Sequence, residues 1–303
     1  MDSLSHSSTE NKKRNKFSPF LLIRLVGIVL FIYILTTVDL ASMWDKLKGV
    51  KLDFLLYGIL FQLLLLFLKA FRWHILNSGS TKKSRILRSL GEFFESYAIG
   101  VITPGRVGEM VKAGHAREKN KIMETGIRVL VERGFDLGIF VLLAGIALSV
   151  TFRDEAAWLI SILFIFSGII ILALAFIFMR SAKATHLIQK VLNRIPLINL
   201  KAELSFQKRS GRVQMAVVIL SLASNFSYFV SCYFLALGLM FDQGILFISG
   251  AVAIAGLLNM LPVTVMGLGT REGTFLLLFK PMAEPLILAF SGLVFLVAQI
   301  GGG

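Results

Sequence analysis

A helix of about 20 apolar residues matches the thickness of a bilayer's hydrocarbon core. This chain contains several such stretches, among them Leu52 to Ala70 and Ala156 to Met179. They leave few folds open, because a segment in hydrocarbon must satisfy its own backbone, and runs of this length do so as helices. Composition agrees: 56% of the 303 residues are hydrophobic and 17% are charged, against about 45–50% apolar and about 25% charged in soluble domains. The mean hydropathy is +0.77. The chain reads as an all-α polytopic membrane protein. The expected full spans are 20–38, 52–70, 134–152, 156–179, 214–240 and 285–301. Two further apolar segments are interrupted: 90–113 at Thr103-Pro104-Gly105, and 244–280 across Pro262 to Gly269.

The net charge of +14 does not point to nucleic acid. Lys and Arg fall between the apolar runs, where the positive-inside rule and anionic headgroups account for them, and no soluble domain carries them. Residues 1–18 are polar and contain Lys12, Lys13, Arg14 and Lys16. They read as a disordered basic cytoplasmic tail, and 19–303 as one transmembrane domain. The run from Pro19 to Val38 is long for a signal-peptide core, and no A-x-A site follows, so it reads as an uncleaved first span. The single cysteine, Cys232, excludes an internal disulfide and a thiolate zinc site and reads as a packing residue.

Basic residues also set the expected topology. The first loop mixes Asp39, Asp45 and Asp53 with Lys46, Lys48 and Lys51 and reads as outside. The next carries Lys69, Arg72, Lys82, Lys83, Arg85 and Arg88 and reads as inside. A second basic stretch, Arg117, Lys119, Lys121, Arg128 and Arg133, follows segment 90–113. Basic residues on both sides of that segment favour a re-entrant hairpin that turns at Pro104-Gly105. Arg153-Asp154-Glu155 then reads as an outside loop, and 180–212 as an inside basic region with a surface helix. Segment 244–280 consequently enters from the opposite face. The expectation is six full spans plus two oppositely oriented re-entrant hairpins. Each break carries Pro, then Gly, then Arg and Glu, as in an inverted-repeat transporter whose discontinuous helices meet near the midplane.

Ionisable residues at membrane depth are costly, about 2.5–3.5 kcal/mol each on the insertion scale, and are functional candidates. In the second break these are Arg271 and Glu272, flanked by Gly267, Gly269 and Gly273. Free N–H groups where the returning half-helix starts, together with the Arg271 fork, suit a phosphate; an internal ion pair holding the loops is the equal alternative. In the first break, Gly105 and Gly108 accompany Arg106, Glu109 and Lys112, which recur every third residue. Arg106 and Glu109 are expected to line a cytoplasmic cavity, and Lys112 a solvated face. Glu92 and Glu95 pair with Arg88 or Arg106, or carry protons. In "VERGFDLG", Glu132 and Asp136 share a helix face beside Arg133; a binding cluster and an interfacial snorkelling cluster are both open. Gly134 and Gly138 suit close helix packing. The scattered histidines lack metal spacing, and no metal or other cofactor is expected.

Gly267-Leu268-Gly269 is a false dinucleotide loop: Gly273 comes one residue too late for G-x-G-x-x-G, and no soluble βαβ unit surrounds it. There is also no G-x-S-x-G and no Cys/His pair. At "TPGRVGEMVKA", "ERGFDL" and "LPVTVMGLGTREGTF" the chain resembles the lysylphosphatidylglycerol synthase transmembrane region, also called flippase-like integral membrane proteins. P-G-R-x-G-E, E-R-x-x-D and G-x-G-x-R-E-G occur in family order, and the resemblance covers nearly everything after the tail. It implies a lipid-translocating domain, with motif positions at Pro104, Gly105, Arg106, Gly108, Glu109, Glu132, Arg133, Asp136, Gly267, Gly269, Arg271, Glu272 and Gly273. The soluble domain that transfers an amino acid from tRNA in the best-understood relatives is not within these residues, so transferase activity is not expected of them.

The expected function is flippase-like lipid transport: moving or binding a polar-headed glyco- or aminoacyl-phospholipid, or a polyisoprenoid-linked lipid, across the cell (inner) membrane, with the N-terminus cytoplasmic. Lacking a nucleotide motif, transport is passive or ion-coupled. The expected partners are lipids with anionic headgroups and a separate synthase or glycosyltransferase. The alternative is a membrane-embedded enzyme, or an accessory subunit, in lipid-linked glycan synthesis or lipid modification.

Overall fold

The computed structural model describes residues 33, 36, 40–77, 86–103, 108–115, 119–151, 155–180, 210–260, 267–280 and 282–300. Every regular element among them is helical. In chain order these are α1 (Leu40–Lys48), α2 (Leu52–Asn77), α3 (Ile86–Ile102), the one-turn α4 (Val111–Gly114), α5 (Lys119–Thr151), α6 (Glu155–Arg180), α7 (Gly211–Gly238), α8 (Ile245–Met260), α9 (Thr270–Leu278) and α10 (Glu284–Leu293). A π-helical segment, Val294–Ile300, continues α10. The expected span 20–38 and the tail lie almost wholly outside the described residues, as do the basic region 181–209 and the motif residues Pro104, Gly105, Arg106 and Pro262.

Among the described residues, four helices are long and apolar enough to cross a bilayer: Leu52–Asn77, Glu124–Val150 within α5, Trp158–Arg180 within α6, and Gly211–Gly238. Each has 23 residues or more, at least about 34 Å of helix at 1.5 Å per residue. On α6 only 17% of the apolar window is buried, and on α2 28%. Leu56, Leu60 and Phe67 on α2, and Leu159, Leu163 and Phe166 on α6, are exposed. Apolar faces this continuous are not found on soluble monomers. The interrupted segments are shorter: α3 has 17 residues and α8 has 16, about 24–26 Å. Both stop at the breaks expected from Thr103-Pro104-Gly105 and Pro262 to Gly269.

The helices pack where side chains are smallest. A Cβ on Gly138 would meet Leu172 at 2.7 Å, and one on Gly168 would meet the Leu142 backbone at 2.7 Å. A Cβ on Gly134 would meet that of Ala175 at 3.0 Å, so the glycine spacing on α5 does seat α6. Gly250 of α8 has room for no Cβ against Ala147 of α5. The largest core cluster joins α5, α7, α8, α9 and α10, with Phe275, Phe279 and Phe290 in mutual ring contact and Cys232 buried among them.

Two boundaries differ from expectation in a way that matters for the site. The helix beginning at Leu52 runs on to Asn77, so Lys69 and Arg72 are helical residues inside the bundle, not loop charges. The third span begins earlier, so Arg128 and Arg133 also lie within α5. A cation near the end of an apolar run is stable in the interior when carboxylates meet it there, and these do.

Gly250→Ala is expected to lower stability by about 1–3 kcal/mol, because the added methyl overpacks α5 against α8. Gly91→Ala, with nothing within 4 Å of the new methyl, should be neutral or slightly stabilising. Thermal unfolding of the purified variants in detergent separates the two.

Candidate functional site

Arg72 is the centre of the polar interior. It is 2% exposed, and the carboxylates beside it, Glu132 and Asp136, are 3% and 4% exposed. Arg72 donates to Glu132 through Nε at 3.3 Å, and to Asp136 through Nη1 at 3.1 Å and Nη2 at 3.4 Å. Nη1 also reaches the Ser221 hydroxyl at 2.9 Å. The four-residue spacing of Glu132 and Asp136 puts both on the face of α5 that meets α2, so one planar fork serves both. Lys69 Nζ bonds Asp136 at 3.0 Å, and Asn225 Nδ2 bonds it at 3.1 Å. The E-R-x-x-D acids are therefore a buried lattice and not a snorkelling cluster.

The first break is fastened to the same lattice. Lys112, expected on a solvated face, is 2% exposed. Its Nζ donates to Glu132 at 3.0 Å and lies 4.7 Å from the Trp73 ring centre and 4.9 Å from that of Phe93. A desolvated ammonium is stabilised by such faces as well as by its carboxylate. Glu109 is buried and ion-paired with Arg133. The Thr103 hydroxyl accepts from the Gly108 N–H at 2.8 Å, across the break. A Cβ on Gly108 would strike the Ile99 carbonyl oxygen at 2.6 Å, which explains the glycine. Glu92 pairs with Arg88 as expected, and also accepts from Asn77; Glu95 meets His115 at 2.9 Å.

The second break is held differently. Arg271 and Glu272 pair with each other, and both bond the Ser291 hydroxyl at 2.8 Å. The other Glu272 oxygen accepts from the Gly269 N–H at 2.8 Å, capping α9. The Arg271 guanidinium lies 4.8 Å from the Phe295 ring centre. Gly267 and Gly269 have φ of 74° and 83°, the left-handed region that glycine enters without strain. Gly273 N–H closes the first turn on the Gly269 carbonyl. This arrangement puts Arg271 and Glu272 behind the break, in each other's company.

Between the two breaks lies a cavity of about 70 Å³, room for several waters or one small polar group. Lys69, Arg133, Asp136 and Asn225 wall one side; Thr103 of the first break, and Asn259 and Gly267 of the second, reach the same space. Gln62 borders it too: its amide N–H donates to the Ala298 carbonyl at 2.9 Å, while its buried Oε1 has no hydrogen-bond partner among the described residues. A buried acceptor left so costs about 1–3 kcal/mol unless a donor arrives. Among the described residues lining the cavity, two are cations, Lys69 and Arg133, and one is a carboxylate, Asp136. Two cationic side chains on the wall of such a space suit an anion. Among the described residues no three of His, Cys, Asp and Glu converge as metal ligands do.

Glu109, Glu132, Arg133 and Asp136 thus come together with Gly108 at the first break, and Gly267, Gly269, Arg271, Glu272 and Gly273 at the second; Gly105 and Arg106 lie outside the described residues. Sequence reasoning missed Gln62, Lys69, Arg72, Ser221, Asn225 and Asn259 as site residues. Signals existed: Lys69 and Arg72 are three apart on one helix face, and Ser221 and Asn225 are polar residues four apart within a span.

Arg72→Leu leaves two carboxylates short of their main partner and should cost about 3–5 kcal/mol, read as a large drop in thermal stability in detergent. Arg88→Leu, whose side chain is 70% exposed, should change it little.

The profile of the lysylphosphatidylglycerol synthase TM region matches residues 20–301. A comparison with curated proteins finds no match. With four membrane-length helices among its described residues and nearly its whole length matched, this multi-pass membrane protein belongs to the lysylphosphatidylglycerol synthase TM region family.

Proposed function

We propose that this protein carries a lipid with an anionic, polar headgroup across the bilayer, the headgroup passing through the cavity between the two breaks. The observation that supports the reading best is the cavity itself, walled by both breaks, with Lys69 and Arg133 among its described lining residues. A phosphate meets Lys69 and Arg133 there as a charge-assisted acceptor. The orphan Gln62 Oε1 and the Asn225 and Asn259 amides suit hydroxyl or amino groups on the rest of a sugar or aminoacyl headgroup. The acyl or isoprenoid chains stay among the apolar outer faces.

In this reading both breaks are re-entrant. At about 24–26 Å, α3 and α8 fall short of a hydrocarbon layer of roughly 30 Å, and α8 packs against α9 across the break. Entry from opposite faces makes an inverted repeat, with the headgroup exposed to either side in turn. Arg133 is bound to Glu109 at rest. Phosphate displaces that carboxylate, and Glu109 retakes the guanidinium as the headgroup leaves. Arg271 and Glu272 hold the second break in shape for this exchange. The reading needs no covalent chemistry and treats a synthase or glycosyltransferase as a separate partner supplying the lipid.

A dithionite-quenching assay in proteoliposomes with fluorescent phosphatidylglycerol tests this. Wild type should equilibrate the lipid between leaflets. Lys69→Gln and Arg133→Gln should slow it by about tenfold or more, the worth of one charge-assisted hydrogen bond, while Arg88→Gln should not. Wild-type rates equal to protein-free vesicles would refute transport.

A further inference from the structure

Beside the polar cavity runs a second, larger hollow. It measures about 770 Å³, an order of magnitude more than the cavity, and lies between α5, α6 and α8. Leu137 and Val141 of α5, Ser167 and Ile171 of α6, and Leu257 of α8 line it. Its wall is predominantly apolar, and Ser167 opens to the surface. Two residues, Arg133 and Met260, border both hollows. Arg133 therefore has the polar cavity on one side and the groove on the other, and Met260 is the last residue of α8 before the second break.

We infer that this α5–α6–α8 groove is the seat of one hydrocarbon chain of a bilayer phospholipid, whose phosphate lies at Arg133. The inference rests on the transport reading for its purpose but on separate observations for its place. A groove in helices this apolar opens on hydrocarbon, so the occupant comes from the bilayer. The cation at its head selects an anionic or phosphate-bearing amphiphile over a neutral one. Arg133 carries its charge at the end of a long apolar stem, which spans the boundary between an oily groove and a wet cavity. The volumes divide in the same way: the small polar cavity takes a headgroup and the large groove takes a chain. Met260 is unbranched and adapts to chains of varied shape. The groove also explains the side from which a lipid reaches the cavity: laterally, between α6 and α8, past Arg133.

The test uses the full chain in vesicles of phosphatidylethanolamine and phosphatidylglycerol, doped with phosphatidylglycerol bearing a diazirine at the end of one acyl chain. After irradiation, the labelled peptides are mapped by mass spectrometry. Labelling should concentrate on α5, α6 and α8 around Leu137, Ser167 and Leu257, well above the exposed face of α2 at Leu56 and Leu60. Ser167→Trp fills the groove and should cut that labelling about tenfold, the effect of overpacking a fitted site. Ile169→Trp, on the exposed part of the same helix, should leave it unchanged and controls for folding. Uniform labelling over all outer faces, indifference to Ser167→Trp, or protein–protein cross-links showing that a second copy fills the groove would each overturn the inference. Leaflet equilibration measured on the same vesicles keeps the two readings apart. Groove labelling without equilibration refutes transport alone, and equilibration without groove labelling refutes the groove alone.

Discussion

The described bundle hangs on one guanidinium. Arg72 sits within α2 among helices that face hydrocarbon, where an unpartnered charge is not tolerated. Its donors go to Glu132, Asp136 and Ser221, which fixes α2 against α5 and α7 in a single register. Buried ion pairs are poor sources of net stability, because desolvation offsets the attraction. What they impose is specificity: an arrangement that separated Arg72 from its acids would strand the guanidinium in oil and leave Glu132 and Asp136 to Lys112 and Lys69. Lys112 extends the lattice to α4, so the segment that follows the first break is anchored by the acid that also holds Arg72.

Adjacent residues of one helix then have opposite duties. Glu132 and Arg133 diverge by about 100°, so the first turns into the lattice and the second toward the cavity and Glu109. Asp136, one turn on, touches both worlds, bound to Arg72 and Lys69 yet bordering the cavity. The second break is held by other groups. Arg271, Glu272, Ser291 and the Gly269 N–H bond one another, and the positive φ of Gly267 turns the chain close against Asn259. One break is tied down by charge from α5 and the other largely by its own residues, and the open polar space lies between them.

Much of this was legible in the sequence. Apolar length alone gave α2, α6 and α7, and the helix breakers placed both interruptions where helices stop. The spacing of Glu132 and Asp136 predicted a shared face. The partners of that face were not legible, for physical reasons. A Lys or Arg near the end of an apolar run has the same local signature whether it snorkels outward or turns in, and Lys69 and Arg72 turn in because carboxylates 60 or more residues away await them. Lys112 lies farther from the turn than Arg106 and Glu109, which points to a solvated face; Trp73 and Phe93, outside its own helix, decide its burial. Asn225 and Gln62 are amides within long apolar spans, and membrane helices bury such residues only with partners or beside a cavity.

The central claim is that the two breaks face one polar space. It is tested most directly with Thr103→Cys and Asn259→Cys in a chain whose buried Cys232 is replaced by Ala. A short bifunctional thiol reagent applied to the reconstituted protein should join the two positions, identified by mass spectrometry of the linked peptides. If both cysteines react singly with the reagent and are never linked to each other, the breaks do not share a cavity and the account is wrong.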